Sequence, residues 1–392
     1  MTLIADTAEL ARFCARQGEA EYVTIDTEFM RDRTYWPKLC LVQIAGPEET
    51  AAIDTMAPGL DLAPLLELLT NPRVVKVFHA ARQDIEIFFH MSGKIPVPIV
   101  DTQVAAMVCG FGDAVSYENL AAKLAGARID KSSRFTDWSH RPLTDKQLQY
   151  ALSDVTHLRP AYEKLKRRID KSGRGHWVEE EMRVLTDPAT YALNPRESWR
   201  RLKTRSDNRR FLAVLREVAA WREEEAQQRD LPRNRVLKDE SLVEIASHEP
   251  TSVEDLARSR GMQRGFAEGR MGQAILAAVK RGLDLPAAEC PSPPPRFDLP
   301  PGLAPVVDLL RVLLKTACEA HDVAQKLVAN AEDLALIAAD DGAEVPALSG
   351  WRREMFGEDA IALKHGRLAL TADGKRIRVV PLDGTGASAR AG

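Results

Sequence analysis

Val23-Thr24-Ile25-Asp26-Thr27-Glu28-Phe29 is the stretch on which the reading of this chain turns. Its β-branched and aromatic residues predict a strand, in which successive side chains alternate between faces. Asp26 and Glu28 then share one face, and Ile25, Thr27 and Phe29 take the other. Two carboxylates side by side on a core strand need a partner, since an unpaired buried charge is costly. Hard divalent ions such as Mg²⁺ prefer such oxygen ligands. An exposed Asp-x-Glu at the end of a surface strand satisfies the same text, so the remaining acids must decide between the two.

A chain of 392 residues is too long for one ordinary core and predicts two or three domains. With 45% hydrophobic and 28% charged residues it reads as a globular protein, and a net charge of -3 gives no overall attraction to nucleic acid. Any basic surface is therefore local. Cys14, Cys40, Cys109, Cys290 and Cys318 are scattered and form no Cys-x-x-Cys pair, which argues against a disulfide framework and against a zinc site. The start of the chain lacks a basic segment followed by an apolar run, and no apolar stretch is long enough to span a bilayer. These features predict a cytoplasmic protein with no membrane partner.

Around the opening stretch the chain reads as mixed α/β. A helix is predicted over Ala8 to Gln17, capped by Asp6 or Thr7, and strands over Leu39 to Ala45 and Thr50 to Asp54 that form a meander with the first. Helices at Leu62 to Leu69 and Ala81 to His90 flank a strand at Arg73 to Phe78, and a short strand follows at Pro98 to Asp101. Further helices are predicted at Thr102 to Cys109, Tyr117 to Leu124 and Asp145 to about Ile169, the last opened by Thr144. Asp84 sits in one of these helices among Ile85, Ile87, Phe88 and Phe89. Tyr150 and Asp154 lie one turn apart on another. Taken singly, each is equally a solvated helix-surface group.

In order, Asp26-x-Glu28, Asp84 within Phe-His-Ala-Ala-Arg-Gln-Asp, and Tyr150-x-x-x-Asp154 resemble the three exonuclease motifs of the DEDD superfamily, tyrosine subclass. The text from Arg33 to Ile44, and Asp101-Thr102-Gln103, resemble the bacterial ribonuclease D family, and the likeness covers nearly the entire chain. The resemblance implies an α/β ribonuclease-H-like catalytic domain with a mixed sheet and flanking helices, and hydrolytic 3′→5′ exonuclease activity. It also implies two divalent ions, Mg²⁺ or Mn²⁺, held by Asp26, Glu28, Asp84 and Asp154. Asp26 would be shared, Glu28 and Asp154 would complete one site, and Asp84 would reach the other through water. Phosphodiester hydrolysis calls for such a set, because two metals can stabilise the attacking and the leaving oxygen together. Tyr150 would orient the attacking water, since a phenol with an ordinary pKa of about 10 is a poor base near neutrality. Phe29, Met30, His79 and Gln83 are the candidate substrate contacts; core packing is the alternative for Phe29 and for His79.

The C-terminal half reads as helical. Arg196, Arg200, Arg201, Lys203, Arg205, Arg209, Arg210 and Arg216 make a local basic run suited to phosphates or to a solvated helix face. The helix Phe211 to Arg229 and the segment Arg229 to Asp239 resemble an HRDC domain, with Gly282 as its last cap. The expected organisation is a catalytic domain over 1–190, a first HRDC domain over 205–285, a proline-rich linker over 286–301, a second, degenerate HRDC-like domain over 302–381 and a disordered tail over 382–392. The second module rests on a faint repeat: Val236, Glu240, Leu242, Ile245 and Ala246 recur 92 residues later as Val328, Glu332, Leu334, Ile337 and Ala338. It carries Gln325, Leu327 and Asn330 where the first has Arg233, Arg235 and Lys238, so packing on the catalytic domain to complete a channel is its expected role.

The resemblance implies a monomeric exoribonuclease acting on RNA, tRNA precursors and other structured RNAs with 3′ extensions above all. A DNA exonuclease with the same site, and a catalytically silent nucleic-acid-binding scaffold, are the competing readings.

Overall fold

The computed structural model describes residues 2–293 and 297–382; the tail from Asp383 to Gly392 and the middle of the proline-rich linker lie outside them. A six-stranded mixed sheet forms the N-terminal domain: β1 (Thr2–Ile4), β2 (Tyr22–Met30), β3 (Lys38–Ala45), β4 (Thr50–Ile53), β5 (Val75–Phe78) and β6 (Ile99–Asp101), in the order β1-β4-β3-β2-β5-β6. The expected meander is present, with β2 and β4 antiparallel to β3, while β5 pairs parallel to β2. This makes β2 an interior strand. The helices are α1 (Thr7–Gln17), α2 (Ala63–Thr70), α3 (Arg82–Ser92), α4 (Thr102–Val108), α5 (Tyr117–Leu120), α6 (Asp145–Thr156), α7 (Leu158–Ser172) and α8 (Gly175–Leu185).

Two local expectations need correction. One helix was expected from Asp145 to about Ile169, but α6 ends at Thr156 and α7 starts anew at Leu158. Pro160 is the cause: it offers no N–H and its ring crowds the carbonyl four residues back, that of Thr156. The strand alternation also breaks, through a register shift between Glu28 and Phe29.

The first helical module comprises α9 (Arg209–Gln228), α10 (Arg233–Val236), α11 (Asp239–His248), α12 (Val253–Arg258), α13 (Arg264–Glu268) and α14 (Arg270–Asp284) around its own core of Leu212, Leu215, Val218, Leu242, Ile245 and Ile275. Gly282 lies inside α14 and not at its cap. A Cβ there would stand 2.6 Å from Cα of Val214, so glycine is what lets α14 cross α9 so closely. The described part of the linker is tied to this module through Arg209, which donates to the carbonyl of Cys290.

The second module contains α15 (Ala304–His321), α16 (Gln325–Val328), α17 (Ala331–Ala339), α18 (Gly350–Arg352) and α19 (Glu358–Lys364). Its helices α16 and α17 begin 92 residues after α10 and α11, in step with the sequence repeat. Unlike the first module it shares one continuous core with the catalytic domain. Trp351 stacks on Trp177 at 4.5 Å and its indole donates to Glu181 at 3.1 Å. The helical reading fails after Arg367, where β7 (Leu368–Asp373) and β8 (Arg376–Pro381) form a hairpin closed by Gly374 at φ 61°. Alternating residues around Asp373-Gly374 carry that signal.

Candidate active site

The acids meet at one end of β2. Carboxylate oxygens of Asp26, Glu28 and Asp154 all lie within 4.8 Å of one another. The interior position of β2 supplies the first two, and α6, laid across β2 and β3, supplies the third. Helix α6 starts with a capping box between Thr144 and Gln147, which fixes the phase of everything after it, Tyr150 and Asp154 included.

Asp84 arrives from the first turn of α3, where the helix N-terminus favours a carboxylate. Two contacts place it. Thr27 on β2 donates its hydroxyl to Oδ1 of Asp84. Asp101, at the end of β6, accepts from the backbone N–H groups of Ala80 and Ala81, both at 2.9 Å, and holds Ala80 at φ 60° in the sharp turn that starts α3. Neither role is readable from the sequence: alternation only sends Thr27 to the far face, and Asp101 stands out only as the head of Asp-Thr-Gln.

A cleft of about 630 Å³ opens over these groups, and Asp26, Glu28, Asp84, Tyr150 and Asp154 all line it. Phe29, His79 and Gln83 line it too. Phe29 was expected on the opposite face from the acids; the register shift beside it re-aims it. Met30 is elsewhere, packed against the small cluster of Cys40, Leu41, Trp138 and Leu152. His79 has both ring nitrogens engaged, with Thr102 Oγ1 at 2.9 Å and the Val115 carbonyl at 3.1 Å. The carbonyl can only accept, so Nε2 carries a proton toward it; the Thr102 hydroxyl beside Nδ1 donates its own proton to the Phe78 carbonyl at 3.0 Å. Burial pushes its pKa down. Its polar atoms are thus spent on structure.

Crowding carboxylates in a low-dielectric site raises their pKa values. Burial pushes Glu28 up to about 10, with Asp26, Asp154 and Asp84 adding repulsion. Asp26 is raised by burial and then by Asp154, and Asp84 by burial and then by Asp26. Asp154 rises to about 7 through burial, opposed by the Tyr150 hydroxyl and by Arg134. Oδ1 of Asp154 is buried without a hydrogen-bond partner. An orphaned carboxylate oxygen converging with two further carboxylates is the donor set of a hard divalent cation. Burial raises the pKa of Tyr150, and the acids raise it further, so near neutrality it is a phenol that donates a hydrogen bond.

Much of the basic run of the sequence is paired within the protein, several of its arginines while still more than half exposed. Arg196 and Arg216 pair with Glu217, Arg200 with Glu197 and Arg201 with Glu223. Arg210 donates to the carbonyls of Gly282, Leu283 and Leu285 at the end of α14. Arg233 is equally occupied, gripping Glu223 and donating to the Tyr35 hydroxyl at 2.9 Å. That network joins the Arg33 to Ile44 segment to the first helical module. In the second module Asn330, at the place of Lys238, caps α17.

Comparison with known proteins agrees with this geometry. A model of 3′-5′ exonuclease domains matches residues 1–170, and a model of the HRDC domain matches residues 211–279. Ribonuclease D of Granulibacter bethesdensis is 54% identical over 380 residues, covering 97% of this chain and 96% of that protein. This chain belongs to the ribonuclease D family. Ribonuclease D of Gluconacetobacter diazotrophicus is 52% identical over 379 residues, covering 97% and 96% of the two chains. The crystal structure of Escherichia coli RNase D, described as an exoribonuclease involved in structured RNA processing, is similar with a TM-score of 0.78 at 30% identity, covering 93% of this chain and 98% of that one. As a ribonuclease D family member the chain is a 3′→5′ exoribonuclease, a hydrolase of phosphodiester bonds. One HRDC domain is matched, at the first module. Among the described residues no helix is long and apolar enough to cross a membrane.

Proposed function

We propose that the chain trims the 3′ ends of structured RNAs in the cytoplasm, tRNA precursors first among them, as a monomer that releases nucleoside 5′-monophosphates. The observation that carries the site assignment is the convergence of Asp26, Glu28 and Asp154 around the unpartnered Oδ1 of Asp154. Two divalent ions, Mg²⁺ or Mn²⁺, would be held by these three acids and by Asp84, and they would supply charge stabilisation at the attacking and leaving oxygens.

The chain's own residues do the rest. Asp26, which is raised by Asp154 and itself raises Asp84, would be the ligand common to both positions. Thr27 holds Asp84 in place. Tyr150, kept protonated, would position the nucleophilic water through its hydroxyl oxygen. Phe29 and Gln83, on the cleft wall, contact the terminal nucleotide, and His79 supports that wall from behind. The second module, a degenerate HRDC-like domain, completes the catalytic domain's core.

Purified protein incubated with 3′-labelled tRNA precursor, in Mg²⁺ and in chelator, tests this. Mononucleotides released only with Mg²⁺ support it; intact RNA in both, or parallel loss of a matched DNA strand at an equal rate, contradicts it.

A further inference from the structure

The loop between α5 and α6 carries the most exposed large hydrophobic side chain among the described residues. Phe135 is 91% exposed, and with Arg134 it lines the mouth of the acidic cleft. A single exposed apolar residue on an open surface needs no explanation. This one differs in how it is held.

The loop is anchored on both sides of the pair. Ser133 is buried at 5% exposure before it and Trp138 at 2% after it. Thr136 donates to the Ser133 carbonyl at 2.8 Å and accepts from Gln147 of α6 at 3.2 Å. Two flanking anchors inside the protein leave Arg134 and Phe135 projecting from a fixed base. The Arg134 guanidinium sits over the Phe135 ring at 5.3 Å from its centre, covering part of one side only.

We propose that Phe135 is a platform on which a base of the RNA's 3′ segment stacks, with Arg134 beside it meeting an adjoining phosphate. This rests on the exonuclease reading of the cleft and adds a contact outside the acid cluster. A π-face takes any base and a guanidinium takes any phosphate, so the pair grips a single strand without reading its sequence. That suits an enzyme that must move back one nucleotide after each cleavage, whatever the next base is. Since Phe135 buries almost nothing in the protein, its substitution removes only the contact with Arg134 and leaves the fold alone.

The test uses the full chain with Ca²⁺ in place of Mg²⁺ and eight-nucleotide single-stranded RNAs, intact or abasic at each of the four 3′-terminal positions in turn. Phe135→Ala should weaken binding of intact RNA roughly 5- to 150-fold, the range expected for one stacked base, and Phe135→Tyr should restore it. One abasic position should cost the wild type affinity and cost Phe135→Ala nothing, a coupling that a merely structural residue would not show. Arg134→Ala should lower the salt slope of log Kd by about one phosphate contact. Wild-type affinity in Phe135→Ala, penalties that simply add at every position, or no binding of RNA by the wild type would overturn the proposal. Hydrolysis of the same RNA in Mg²⁺ separates it from the reading beneath it: coupling without released mononucleotides would leave the platform standing and remove the exonuclease assignment.

Discussion

The hydroxyl of Thr27 donates a hydrogen bond to Oδ1 of Asp84, so the strand that bears two of the acids also fixes the one on a helix. Thr27→Val keeps the shape and deletes the donor. It should lower turnover about 10- to 100-fold, the usual cost of losing a group that orients a metal ligand, while Thr27→Ser recovers most of the rate. Steady-state rates over a Mg²⁺ titration check this; a valine variant as fast as the wild type would free Asp84 from Thr27.

The raised carboxyl pKa values set the pH response. In chelator the folded chain holds protons on Glu28, up to about 10, and on Asp154, up to about 7, at pH values where an unfolded chain has lost them. Stability is therefore undiminished below the ordinary carboxylate range and falls as pH rises from there toward 10. Cation binding needs those protons gone, so the stabilisation from added Mg²⁺ should grow over the same interval, most noticeably through pH 7. Thermal unfolding with and without Mg²⁺ from pH 5 to 9 reads both trends; a Mg²⁺ increment that shrinks with rising pH contradicts the account.

Tyr150→Phe should slow single-turnover hydrolysis roughly 10²- to 10⁴-fold with little change in RNA affinity measured in Ca²⁺. The phenol is already kept protonated by its surroundings, so what is removed is an oriented O–H donor and not a base. A silent substitution would reduce Tyr150 to packing against Trp138, whose ring centre is 6.1 Å away.

Arg233→Ala tests how the first module is seated. Glu223 is 2% exposed and shared among Arg233, Arg201 and the Tyr35 hydroxyl. Removing the principal cation strands a buried charge, at a cost of about 3–5 kcal/mol. Breaking the exposed Arg264–Glu268 pair should cost about 0.5 kcal/mol or less. Denaturant unfolding of the two variants compares them directly, and equal losses would mean the buried network holds nothing.

Period and spacing made much of this molecule readable in advance. Alternation across Val23 to Phe29 marked the strand, and the four-residue interval put Tyr150 and Asp154 on one face of α6. What was missed lies in contacts between distant segments. Thr27 and Asp84 are 57 residues apart, and Asp101 reaches back 21 residues to hold the turn at Ala80. No local pattern announces such pairings. The basic run was undecided for a related reason: charge counts do not say that Glu217 and Glu223 fold in beneath the arginines. Phe135 sits in a loop without periodicity, so only its exposure beside the cleft distinguishes it.

The central claim is that Asp26 and Asp154 hold the cation charge that hydrolysis requires. Asp26→Asn and Asp154→Asn each remove one negative charge and almost no volume. With saturating enzyme and 3′-labelled RNA in Mg²⁺, single-turnover release of mononucleotides should be abolished in both variants while RNA binding in Ca²⁺ persists. Release at near wild-type rates in either variant would contradict the account.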